Sequence, residues 1–157
     1  MRLINRARGA GLTCFISYSH IDEKFAKRLY ARMQRENLRV CLAAKDIGEG
    51  KIHEQIEMSI NLYDKLLLIL SKESMASNWV KSEIRWAVEA GMSEKRKKLL
   101  PIRLVSMDDI KQWKYFDADS GKDLAREIRE YYIHDFSDWP NRKAFEKSFV
   151  HLMSFLA

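Results

Sequence analysis

At 157 residues, 46% hydrophobic and 32% charged, the chain suits one folded domain with its own core and excludes a disordered or low-complexity segment. Its net charge of +6 admits acidic partners, but the sharpest basic run, Lys95-Arg96-Lys97-Lys98, holds no aromatic residue, so a solvated loop is expected and no nucleic-acid partner. No apolar run is long enough to cross a bilayer, none follows Arg2, Arg6 and Arg8 to make a secretory signal, and Cys14 and Cys41 match no metal or redox spacing, so a cytoplasmic setting with no membrane partner is expected.

Residues 1–12 are expected to form a tail or linker and residues 13–157 the folded domain. Residues 13–18 are a short run of strand formers. A helix follows over about 20–36, with Phe25, Leu29 and Met33 on one stripe and Ser19 with Asp22 as its N-cap pair. A second strand covers 39–43, then a loop over 45–51 carries Gly48 and Gly50, and a second helix lines up Ile52, Ile56, Ile60 and Tyr63. Both cysteines fall in apolar segments, where a thiol acts as a small buried hydrophobe.

Residues 65–70 contain Leu-Leu-Leu-Ile-Leu, the continuous apolar pattern of a strand buried on both faces in a parallel sheet. A polar loop over 71–77 leads into a third helix over 78–91, stopped by a glycine. A fourth strand covers 99–104, with Pro101 arguing for a place near a sheet edge. The stretch 105–139 is less regular, with a short helix carrying Leu124, Ile128 and Tyr131 and a fifth strand near 132–136. A last helix over about 141–156 packs Phe145, Phe149, Leu152 and either Phe155 or Leu156. The alternation of strand and helix predicts an open α/β fold, a parallel sheet of about five strands with helices on both faces.

Such sheets bind ligands beyond the carboxyl ends of their strands, where the strand order reverses. In a flavodoxin-like order the crevice is lined by residues 17–20, 44–51 and 71–77. On a helical wheel of the third helix, Val80, Ile84, Ala87, Val88 and Gly91 form the apolar stripe, and Lys81, Ser82, Arg85 and Glu89 the solvated face. Glu83 falls on the border between Trp79 and Trp86. Spacing alone favours a plain border glutamate paired with a nearby cation; a carboxylate flanked by aromatic surface at the ligand end of a sheet is also a candidate for chemistry. Gly48-x-Gly50 is not a phosphate loop, and His20, His53, His134 and His151 have no metal-ligand spacing. Asp117-x-Asp119-x-Gly121 resembles part of a calcium loop, but Ile128 occupies the twelfth position, so no metal is expected.

Phe15-Ile16-Ser17-Tyr18-Ser19 resembles the opening strand of Toll/interleukin-1 receptor (TIR) domains of bacterial type, and the second strand with its Gly-containing loop resembles their BB loop. Residues 66–71 and then Ser77-x-Trp79-Val80-x-x-Glu83-Ile84 are similar to the third strand and the S-x-W-V-x-x-E-[IV] motif. The chain departs from the family pattern at the end of the second strand, where it reads Cys41-Leu42-Ala43-Ala44, and after Ser17-Tyr18, where Ser19-His20 follows. The resemblance implies a flavodoxin-like three-layer fold and one of two roles. The first is an NAD+ glycohydrolase or cyclase of bacterial defence, which releases nicotinamide and leaves ADP-ribose or a cyclic isomer. The second is a non-catalytic scaffold working by TIR–TIR contact. In the enzymes the residue matching Glu83 is catalytic; the positions of Ser17, Tyr18, Ser19, Lys51, Ile52, Ser77 and Trp79 are then substrate-binding. NAD+ is a substrate there and no cofactor is implied. The implied partners are NAD+ and further TIR domains, in a homo-oligomer with BB-loop contacts.

Overall fold

The computed structural model describes residues 12–44, 64–89 and 98–156. The expected tail, the 45–51 loop with Lys51, the second helix from Ile52 onward, the stop at Gly91 and most of the basic run lie outside the described residues.

Five strands form one parallel sheet in the order β2-β1-β3-β4-β7, where β1 is Thr13–Tyr18, β2 Arg39–Ala44, β3 Lys65–Leu70, β4 Leu99–Arg103 and β7 His134–Asp135. Strand alternation splits the core into two layers. Cys14, Ile16, Tyr18, Leu67, Ile69, Leu100 and Ile102 point to one side. They meet α1 (Glu23–Gln34), which presents Phe25, Leu29 and Met33, and α6 (Arg142–Ser154), which presents Phe145, Phe149 and Leu152. Phe15, Leu66, Leu68, Leu70 and Leu99 point to the other side. There they meet α3 (Asn78–Glu89), α4 (Met107–Gln112) and α5 (Leu124–Ile128).

Several expectations need correction. The first helix opens with a 3-10 turn, His20–Asp22, before α1 begins, and neither Ser19 nor Asp22 caps with its side chain. Asp22 instead accepts a 2.5 Å hydrogen bond from the Ser71 hydroxyl. The chain leaves α1 through Asn37 at φ 61°, the left-handed conformation that asparagine tolerates better than most residues. The polar stretch after β3 is not all loop. Residues Lys72–Met75 form α2, held by a capping box in which Ser71 accepts from the Ser74 amide and Ser74 accepts from the Ser71 amide. Cys14 is buried, and burial pushes its thiol up to about 12, whereas Cys41 is half-buried because β2 is an edge strand.

Pro101 does sit beside an edge, in a local sense. The Leu66 amide bonds the Lys98 carbonyl and the Leu104 amide bonds the Leu70 carbonyl, so even-numbered residues of β4 face β3. The missing donor of Pro101 therefore faces the far side, where β7 begins pairing only at Ile102. Between β4 and β7 the chain builds α4, a two-strand hairpin (β5, Phe116–Asp117; β6, Lys122–Asp123) and α5. Gly121, at φ 69°, makes the hairpin turn. At the C-terminal end Leu156 is the buried residue and Phe155 is exposed.

Candidate functional site

Ser17 is the fifth residue of β1 and points into the α3 layer, at the switch point where β2 lies on one side of β1 and β3 on the other. Its hydroxyl donates a 2.7 Å hydrogen bond to Glu83 Oε1. Both residues are 0% exposed. Glu83 is thus not a border residue, and the wheel shows why. At about 100° per residue, Trp79, Glu83, Val80 and Ile84 fall at roughly 0°, 40°, 100° and 140°. Once Trp79 is counted with the core, where it lies at 7% exposure, Glu83 sits inside the buried arc. Among the described residues no acceptor meets the Trp79 indole Nε1.

The predicted site residues do not all converge. Ser17, Trp79 and Glu83 share the α3 layer. The Tyr18 side chain packs in the opposite layer, against the α1 and α6 core, as alternation from Ser17 requires. Ser19 is buried where β1 ends, and its carbonyl accepts from the Asp22 amide at 2.8 Å. Ser77 spends its hydroxyl on the Glu73 carbonyl at 2.9 Å, and its own carbonyl accepts from the Tyr115 hydroxyl. Lys51 and Ile52 lie outside the described residues.

Two supports of this region were not legible in the sequence. Tyr115 anchors the start of α3: its hydroxyl accepts from the Lys81 amide at 3.2 Å, and burial pushes it up to about 12. Arg85 forks onto Asp117, Nε to Oδ2 at 3.0 Å and Nη2 to Oδ1 at 2.5 Å, tying the hairpin to α3. This fork, with the Ser120 hydroxyl, holds the Asp117 carboxyl down at about 2. The Asp-x-Asp-x-Gly spacing was the available signal, and it marks a hairpin held by an arginine.

Around the carboxyl ends of β1 and β3, the hydrogen bond from Ser71 to Asp22 and the 2.8 Å bond from the Ser74 hydroxyl to the Ile69 carbonyl fix α2 against the 3-10 turn. A cavity of about 720 Å³ lies beside the ends of β3 and β4, lined among others by Lys72, Met75, Trp113 and Tyr115. Neither Ser17 nor Glu83 reaches it. Among the described residues no group of three or more His, Cys, Asp or Glu side chains is placed to hold a metal, and no helix is long and apolar enough to cross a membrane.

A parallel sheet in this order, covered by helices on both faces, with a buried Ser–Glu pair at its switch point, defines a flavodoxin-like three-layer α/β domain. Residues 14–132 match the family model described as TIR domain, and the chain belongs to that family. It is similar to Protein toll of Drosophila melanogaster, with 26% identity over 102 residues covering 62% of this chain and 9% of that protein. The chain therefore spans less than a tenth of the length of that relative.

Proposed function

We propose that this domain cleaves NAD+ at the nicotinamide–ribosyl bond, with Glu83 as the catalytic carboxylate and self-assembly as the trigger. The observation that carries this reading is the hydrogen bond from Ser17 to Glu83, which holds one carboxylate at the ligand end of the sheet. A single carboxylate suffices for this chemistry. Nicotinamide leaves as a neutral base without acid assistance, and the ribose it leaves behind develops oxocarbenium character that a nearby anion stabilises. Water then adds to the anomeric carbon and loses a proton, giving ADP-ribose; attack by the adenine ring of the same molecule gives a cyclic isomer instead. Trp79, one turn before Glu83 in α3, offers aromatic surface to the nicotinamide or ribose. Productive binding requires Glu83 to be uncovered, and contact with a neighbouring TIR domain is the event assigned to that step. A cytoplasmic role in bacterial defence signalling accompanies this reading.

A second reading, a non-catalytic module that works through TIR–TIR contact, is favoured by one observation: Glu83 is 0% exposed, as a purely fold-holding residue would be. Nicotinamide release from NAD+ separates the two. Wild-type protein at concentrations where sedimentation shows assembly is expected to release nicotinamide, and Glu83→Gln to release none. Silence of the assembled wild type gives the second reading the lead.

A further inference from the structure

A second cavity, of about 420 Å³, lies on the α4–α5 side of the sheet at the outer edge of β4 and β7. Three cations line it, Arg103 from the end of β4, Lys111 from α4 and Arg129 after α5, together with Tyr131, Tyr132 and Asp135. Asp135 is the one acid on this wall, and its oxygens are already engaged. Oδ1 accepts from the Ser137 amide at 2.9 Å and the Ser137 hydroxyl at 2.6 Å, while Oδ2 lies 3.1 Å from Arg103 Nη2. The cations retain unused donors. Arg103 Nη1 donates to the Val105 carbonyl at 2.9 Å, but its buried Nε has no acceptor among the described residues. Arg129 Nη1 donates to two neutral carbonyls, those of Ile110 and Trp113, and its Nη2 stands 3.9 Å from Asp123. Lys111 is exposed and has no ion-pair partner among the described residues.

We infer that this cavity binds a small organic phosphate. Three cations delivered from three different elements, only one of them paired with the single lining acid, suit a group with several equivalent oxygens better than a planar carboxylate, which one arginine fork already satisfies. Tyr131 and Tyr132 give the rest of the wall an aromatic surface for a ring attached to the phosphate. The volume lies at the lower end of the roughly 300–1,000 Å³ usual for ligand pockets, so the ligand is compact. None of the lining residues belongs to the Ser17–Glu83 site, and the inference does not depend on NAD+ cleavage.

Titration of the whole chain with inorganic phosphate and with adenosine monophosphate, followed by amide chemical shifts, tests it. Both probes are expected to bind saturably, the nucleotide more tightly, with shifts at Lys111 and Tyr132. Lys111→Glu reverses an exposed charge with no fold-holding bond and is expected to weaken both probes at least about tenfold. Tyr132→Ala is expected to weaken the nucleotide alone. The inference is overturned by absence of saturable binding at about millimolar probe, by unchanged affinity in Lys111→Glu, by equal affinity for the two probes, or by shifts confined to the surroundings of Ser17 and Trp79.

Discussion

Ser17 and Glu83 meet at 2.7 Å in a part of the core otherwise built from apolar side chains. A buried hydroxyl and carboxylate there are stabilising as a pair and costly apart, because burial strips water from both and the bond between them replaces part of it. Ser17→Ala removes the donor and is expected to destabilise the fold by about 1–3 kcal/mol in urea unfolding. Glu83→Gln keeps an acceptor of the same shape and is expected to lose less. His134 is the second residue with a physical consequence of its own. It is buried between Tyr132, His151 and Phe155, and its two ring nitrogens have no hydrogen-bond partner among the described residues. Burial, with the nearby His151, lowers it from 6.5 to about 4. The folded state thus favours the neutral ring. Stability is held above pH 6.5 and lost as pH falls toward 4, by at most about 3 kcal/mol, because the unfolded chain takes up the proton first. His134→Phe is expected to flatten that segment of the stability–pH curve relative to wild type, and an unchanged slope would place the acid sensitivity elsewhere.

At the scale of elements, legibility followed length and periodicity. β1, β3, β4, α1, α3 and α6 each carry enough apolar residues on one face to be read directly from the sequence. α2 has four residues and no period to detect; it exists because Ser71 and Ser74 cap each other, with serine standing where the sequence rule expects Glu or Gln. α4 has six residues, with Ile110 alone buried, and its Ser106 cap was indistinguishable from an ordinary loop serine. A wheel that counts tryptophan as a boundary residue puts Glu83 one step too far outward, because in α3 Trp79 is part of the core. The hairpin shows in the sequence only as the Asp-x-Asp-x-Gly spacing, because its cohesion comes from Arg85, 32 residues before Asp117. Arg85→Met is expected to leave α3 in place and speed amide exchange across Phe116–Asp117 and Lys122–Asp123, while exchange in β1 and β3 stays slow. Uniform acceleration throughout the domain would show that the fork supports the whole fold and not the hairpin.

For the molecule as a whole, the parallel sheet does two things at once. Its centre, β1 and β3, is buried on both faces and supplies a rigid base, and its strand order reverses at the point where the buried Ser17 and Glu83 pair sits. The architecture was legible in the sequence, and so was the place of Glu83 on α3, although spacing alone put it at the border of the core. The arrangement of the other candidates was not, since alternation along one strand sends Tyr18 to the layer opposite Ser17, and Ser77 is occupied by Glu73 and Tyr115. On the proposed function, Glu83 serves chemistry as well as cohesion. The most direct test measures NAD+ turnover and urea stability side by side for wild type, Ser17→Ala and Glu83→Gln, each at assembling concentration. The two properties are expected to separate: Glu83→Gln keeps most of its stability and loses all nicotinamide release, while Ser17→Ala loses more stability and retains some turnover. Turnover in Glu83→Gln equal to that of wild type would contradict it.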